Sequence, residues 1–215
     1  MNKFRYGVAV AGALAAIAVV SAVPAQASAN LLSNGSFESP VVGGNFDTLG
    51  AGDTMGAWTV GGGGVDHIHT YWQAADGVQS VDMSALSAGT ISQTVNTVAG
   101  RNYNLTIWVA GNNDGGNTIK HLDALIDGNV IGSPTFNITG TTKSNMGWTE
   151  FSYNFVSTGG PTTVSFQSQE NNPYGAALDN VSLKAVPEAS TVVLFGLMLV
   201  GGSLLLRKRA STTAL

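Results

Sequence analysis

Along the middle of the chain, hydrophobic and polar positions alternate with a period of two. Tyr103, Leu105, Ile107 and Val109 alternate with Asn104, Thr106 and Trp108. Thr149, Phe151, Tyr153 and Phe155 alternate with Trp148, Glu150, Ser152 and Asn154. Successive side chains of a strand point to opposite faces, so this pattern predicts strands with one face on a core. Val164 and Phe166, then Leu178 to Leu183, predict two later strands. Turn signals separate them: Ala99-Gly100, Asp114-Gly115-Gly116, Asp127-Gly128, Gly159-Gly160-Pro161 and Asn171-Asn172-Pro173. No window in the middle carries a 3.6-residue period. About ten short strands without helices predict an all-β sandwich.

The alternation stops at both ends. Lys3 and Arg5 precede an uncharged, Ala/Val-rich run from Gly7 to about Val23. Pro24 and the small-residue patterns Ala25-Gln26-Ala27 and Ala27-Ser28-Ala29 follow. These are the three zones of a secretory signal, which assigns residues 1–29 to a signal peptide. At the other end, Thr191 to Leu206 is 16 residues without charge, followed by Arg207-Lys208-Arg209. As a helix this run spans roughly 24 Å, short for a hydrocarbon core of about 30 Å. A permanent membrane anchor is one reading, with the basic plug on the cytoplasmic side. A processing signal accounts better for the short length.

A resemblance supports the second reading. Val186-Pro187-Glu188-Ala189-Ser190, a short apolar helix and the Arg207-Lys208-Arg209 plug together resemble the PEP-CTERM sorting tail of Gram-negative bacteria. That tail typically opens Val-Pro-Glu-Pro, and Ala189 stands here at the second proline. The resemblance implies an exosortase-type processing partner and transient attachment to the inner membrane through the C-terminal helix. It also implies delivery to the outer surface or an exopolysaccharide matrix. The expected organisation is signal peptide 1–29, domain 30–184 and sorting segment 185–215.

Composition narrows the middle domain. Twelve of the thirteen Asp/Glu lie between Glu38 and Asp179, but only four of the nine Lys/Arg lie between residues 30 and 184. A surplus of eight negative charges removes nucleic acid from the expected partners, because phosphate binding needs a basic footprint. There is no cysteine. Stability must rest on the core, on hydrogen bonds or on a metal, and thiol chemistry is excluded.

Four stretches carry a second resemblance: Asn34-Gly35-Ser36-Phe37-Glu38, Tyr71-Trp72-Gln73-Ala74-Ala75-Asp76-Gly77 on to Asp82, Gly89-Thr90-Ile91-Ser92-Gln93-Thr94, and Ala177-Leu178-Asp179-Asn180-Val181-Ser182-Leu183. Together they resemble the choice-of-anchor C family of bacterial surface proteins, which is similar to a domain of unknown function in plant cell-wall proteins. Both resemble the galactose-binding-like jelly roll of many carbohydrate-binding modules. The resemblance implies a jelly-roll β-sandwich. It also implies a structural calcium (Ca2+) held by Glu38, Asp179 and the carbonyl of Ser36, joining the first strand to the last. Calcium takes six to eight oxygens, often mixing carboxylates with carbonyls. The alternative is a Glu38 that hydrogen-bonds backbone amides at a sheet edge.

Catalytic signatures are thin. His67 and His69 flank Ile68, so in a strand both rings share a face, with Asp66 nearby. A catalytic zinc site usually has three protein ligands, and neither a third ligand nor a nucleophile accompanies the pair. Most acids sit in turns, where Asx chemistry explains them, while Asp82 and Asp123 lie in strands. No acid/base pair stands out, so no catalytic residue is assigned and a non-enzymatic protein is expected. Sugar contact is the better fit. Tyr71 and Trp72 stand beside Gln73 and Asp76. Asn112-Asn113-Asp114 offers amides and a carboxylate, and Tyr174 follows a polar loop. Rings supply apolar area, and amides and acids orient hydroxyls. Trp58 and Trp148 read as core or sheet-face packing. The expectation is an exported carbohydrate-binding or structural matrix protein, with His67 and His69 as further candidate contacts. The alternative is a polysaccharide-active hydrolase using a strand carboxylate or the His67/His69 pair as a metal site.

Overall fold

Where alternation is strongest, the computed structural model forms its longest strands. It describes residues 28–187. The predicted signal peptide, apart from 28–29, and the tail residues Glu188, Arg207, Lys208 and Arg209 lie outside the described residues, as does the expected C-terminal helix. Val186 and Pro187 directly follow the last strand.

Thirteen strands and no helix occur among the described residues. They are β1 (Phe46–Leu49), β2 (Thr54–Met55), β3 (Trp58–Gly62), β4 (Val65–Ile68), β5 (Ser80–Asp82), β6 (Gly89–Thr97), β7 (Asn102–Gly111), β8 (Ile119–Ile126), β9 (Asn129–Gly132), β10 (Thr135–Asn137), β11 (Thr149–Val156), β12 (Gly160–Ser168) and β13 (Ala176–Ala185). One sheet has the order β1-β4-β5-β13-β7-β11. The other runs β10-β8-β12-β6-β3-β2, with β9 paired to β8. The strands pair antiparallel throughout the described residues. The expected jelly-roll β-sandwich is what forms.

The core lies between the sheets. Tyr103, Leu105, Ile107 and Val109 of β7 are buried, as are Leu178 and Leu183 of β13 and Val164 and Phe166 of β12. Trp58 is fully buried against Phe37 and Phe166, and its Nε1 donates to Asn34 O at 3.0 Å. The predicted turns follow the same logic. Asp127 and Gly128 both adopt positive φ (49° and 78°), which matches the right-handed twist of the β8–β9 hairpin.

The N-terminal segment departs from expectation. Asn34-Gly35-Ser36-Phe37-Glu38 is a turn, because Asn34 (φ 54°) and Phe37 (φ 57°) leave the extended region. The segment still joins the last strand. Leu31 N donates to Leu183 O (2.9 Å) and Val181 N to Gly35 O (2.8 Å). The Asn30 amide bridges Val181 O (3.2 Å) and Leu183 N (2.8 Å). A Cβ on Gly35 would fall 2.0 Å from Val181 O, so only glycine permits this approach. The two ends of the domain are tied by hydrogen bonds.

Candidate functional site

Strand register builds the floor of a cleft on the outer face of the β1-β4-β5-β13-β7-β11 sheet. Thr48 pairs with Asp66, and Asp66 with Asp82, so three polar side chains line up across β1, β4 and β5. Asp82 pairs in turn with Ala177, and Ala177 with Ala110. The loops after β4 and β7 and before β13 supply the walls. The cleft, about 290 Å3, is lined by Phe46, Thr48, Asp66, Ile68, Tyr71, Trp72, Asp82, Ala85, Asn112, Asp114, Pro173 and Tyr174.

Its polar groups are held in place. Thr48 Oγ1 donates to Asp66 Oδ1 at 2.6 Å. Asp82, 1% exposed, accepts from Asn112 Nδ2 (2.8 Å), Ser84 N (3.0 Å) and Gly175 N (3.1 Å). Burial raises the Asp66 carboxyl above its ordinary value and pushes Asp82 up to about 7, against the pull of these donors. Tyr71 OH donates to Asp114 Oδ2 (2.5 Å), and Lys143 Nζ reaches Asp114 Oδ1 (3.0 Å) while lying 3.6 Å from the Tyr71 ring centroid. Phe46 meets Tyr71 edge-on and Tyr71 tilts against Trp72, which makes an aromatic wall. Lys120, fully buried, donates to Gly115 O and Tyr174 O, both at 2.7 Å. One ammonium thus fixes the two loops on the far side, and its burial lowers its own pKa.

The cleft gathers Tyr71, Trp72, Asn112, Asp114 and Tyr174 from the sequence-predicted set. Trp72 is only 5% exposed and spends its N–H on Ser80 Oγ (2.8 Å), so it supports the wall from behind. Asn113 is partly exposed beside the cleft and does not line it. Asp76 is exposed and also lies outside the lining. The histidine pair faces elsewhere. His67, 1% exposed, donates through Nε2 to Phe37 O (2.7 Å), and His69 Nδ1 lies 3.3 Å from Gly44 O. Burial lowers the His67 pKa, which disfavours the charged ring, against the pull of the Phe37 carbonyl. With Gln79, which donates to Phe37 O and Pro40 O, the pair pins segment 37–44. Phe46, Thr48 and Asp66 are lining residues that the sequence reading did not single out. Phe46 is 42% exposed, an aromatic at the cleft that packing alone does not require.

Glu38 and Asp179 converge on one loop from two sides. Asp179, fully buried, accepts from Ala75 N (2.7 Å), Asp76 N (2.9 Å) and Asn180 N (2.6 Å). Glu38 Oε1 accepts from Val78 N (2.9 Å) and Gln79 N (2.8 Å). This donor set does not fit a calcium ion shared by the two carboxylates. Three of their four oxygens, both of Asp179 and Oε1 of Glu38, accept from five backbone N–H groups whose positive ends would oppose a cation. No group of three or more His, Asp or Glu suited to a metal occurs among the described residues. The carboxylates instead clamp the loop that carries Ala75 to Gln79. Burial pushes Asp179 up to about 7, while its amide partners act to lower it.

Fold and site together define a β-sandwich with a polar, aromatic-walled cleft. The chain belongs to the DUF642 family, described as a protein of unknown function, whose profile matches residues 30–184. Halomucin of Haloquadratum walsbyi is 31% identical over 188 residues, covering 84% of this chain and 2% of halomucin, so the chain spans a small fraction of that relative. Solved structures similar in fold include a family 35 carbohydrate-binding module from Clostridium thermocellum (17% identity, TM-score 0.45, covering 65% of this chain and 98% of that one). TmCBM61 in complex with β-1,4-galactotriose is 18% identical (TM-score 0.46, 74% and 100%). The CBM22-1 xylan-binding domain of Paenibacillus barcinonensis Xyn10C is 20% identical (TM-score 0.46, 76% and 98%).

Proposed function

We propose that this chain is an exported, non-catalytic protein that binds neutral glycan in the Phe46–Tyr174 cleft, at the outer surface or in the exopolysaccharide matrix of a Gram-negative cell. The observation that carries the reading is the cleft itself. Aromatic rings from Phe46, Tyr71 and Tyr174 stand around amide, hydroxyl and carboxylate groups already oriented by internal hydrogen bonds. Prefixed polar groups of this kind recognise hydroxyls without a large ordering cost. The lining holds three acidic residues and no Lys or Arg, with Lys143 paired to Asp114 and Lys120 bound to backbone carbonyls behind it, which disfavours uronate and sulfate groups and favours uncharged sugars. The address rests on the two ends of the sequence: a signal peptide, and a PEP-CTERM-like tail read by an exosortase-type enzyme, as in choice-of-anchor surface proteins. The clamp on loop 75–79 takes the place of the calcium that the resemblance implied.

One observation favours a second reading. Asp66 and Asp82 are neighbours across two strands in the cleft, and burial raises both carboxyls, which suits the general acid of a glycoside hydrolase pair but not its ionised partner. Against it, Asp82 is sealed from solvent with both oxygens engaged by three donors, which leaves it poorly placed to reach a glycosidic oxygen. The test is a glycan array with the full chain, followed by assay of each retained glycan for new reducing ends. Retention without release supports binding. Release that disappears in Asp82→Asn would establish the hydrolase.

A further inference from the structure

The four tryptophans differ in what holds them. Trp58 and Trp72 are buried with their ring N–H groups donated to Asn34 O and Ser80 Oγ. Trp148 is partly exposed and donates to Gln73 O at 2.8 Å. Trp108 is partly exposed, lies outside the core cluster, and its N–H meets no acceptor among the described residues. The outward positions before it on β7 are Asn102, Asn104 and Thr106, so a free indole there is not explained by packing. Trp108 and Trp148 line a second groove of about 340 Å3 with Gln73, Ala74, Ala75, Asn145 and Gly147. No ionisable side chain is among them.

Register fixes where this groove lies. Trp108 is two residues from Ala110 on β7, so both point to the same face, and Ala110 pairs with Ala177, which pairs with Asp82. The groove therefore opens on the sheet face that forms the floor of the first cleft. Segment 71–75 stands between them, with Tyr71 and Trp72 lining one side and Gln73 to Ala75 the other. That divider is fixed by Asp179 on Ala75 and Asp76, by Trp148 Nε1 on Gln73 O, and by Gln73 N on Lys143 O (2.8 Å).

We propose that the Trp108–Trp148 groove is a second glycan subsite, in which a neutral pyranose stacks on Trp108 and takes hydrogen bonds from Gln73 and Asn145. It rests on the proposed glycan-binding function and extends it to a polysaccharide chain that contacts both sides of the divider. An uncharged lining of indole and amide suits an uncharged sugar, so binding here varies little with salt.

The test uses the full chain in affinity electrophoresis against xyloglucan, galactan and mixed-linkage glucan, with wild type, Trp108→Ala, Trp108→Phe and Phe46→Ala. Trp108 points away from the core, so its variants keep the wild-type melting point. On the glycan that retards wild type, Trp108→Ala is expected to weaken binding about tenfold, with Trp108→Phe retaining most of it. The same glycan is expected to blue-shift tryptophan emission in wild type and less in Trp108→Phe, where Trp148 is the remaining partly exposed indole and Trp58 and Trp72 are already shielded. Full retention in Trp108→Ala with loss in Phe46→Ala overturns the second subsite and leaves the proposed function standing. Retardation of wild type by no glycan overturns both.

Discussion

Removing the Asp179 carboxylate tests how the divider loop is held. In Asp179→Ala the N–H groups of Ala75, Asp76 and Asn180 lose their acceptor beneath the loop. Asp76 is exposed, so water replaces that bond at little cost. Ala75 and Asn180 are partly buried, and each unsatisfied amide costs about 1–3 kcal/mol. Relief of a carboxyl that burial holds near pKa 7 offsets part of this loss. A net loss of about 2–4 kcal/mol remains, and at roughly 2–4 °C per kcal/mol for a domain of this size the melting point drops by about 5–15 °C. The assay is thermal unfolding by circular dichroism in EDTA and in millimolar calcium, with elemental analysis of the purified protein. Wild type is expected to melt at one temperature in both buffers and the variant at one lower temperature in both. A wild type that loses stability in EDTA, regains it with calcium and carries one bound calcium would refute the carboxylate clamp.

Burial of Asp82 and Asp179 sets a pH dependence of definite sign. A carboxyl raised from 3.8 to about 7 keeps its proton in the folded chain after the unfolded chain has lost it. Stability therefore falls as pH rises from about 4 through about 7, by a few kcal/mol. Urea unfolding across that range should show a shallower fall in Asp82→Asn, and an identical slope would contradict the assignment. Gly35→Ala is expected to cost more than about 3 kcal/mol, because the backbone carbonyl of Val181 cannot retreat from the new Cβ without breaking the tie between the chain's ends; near-native denaturant midpoints would exclude that tie. Intact mass of the protein from its native host is expected to lack Arg207 to Arg209, whereas an intact C-terminus in the inner membrane would restore the permanent anchor.

The strands were legible because half-buried sheets write their faces into the sequence with a period of two. Tyr103 to Val109 and Val164 to Phe166 follow that rule directly. Turns with positive φ announced themselves through Asp127-Gly128 and Gly159-Gly160. Part of the cleft was also legible, since Tyr71, Asn112, Asp114 and Tyr174 are residue types that loops rarely bury without purpose. What escaped was everything set by register between distant strands. Nothing local marks Thr48, Asp66 and Asp82 as one row, and nothing local shows that Trp72 is buried, whereas alternation already set Trp108 on the outward face with Asn104 and Thr106. The histidine pair was misleading because two rings at i and i+2 share a face whether they serve a ligand or a loop. Their acceptors, Phe37 O and Gly44 O, are backbone groups that carry no sequence signal. Glu38 and Asp179 likewise meet backbone amides, which carry no sequence signal either.

The central claim is that the Phe46–Tyr174 cleft binds neutral glycan. The most direct measurement is isothermal titration of wild type and Phe46→Ala with a neutral oligosaccharide of the type retained on the array. Phe46 is exposed on β1, so its loss leaves the core intact and the melting point within about a degree or two. Saturable binding by wild type and an affinity about tenfold lower or worse in the variant are expected. Equal affinities in two equally stable proteins would contradict the claim.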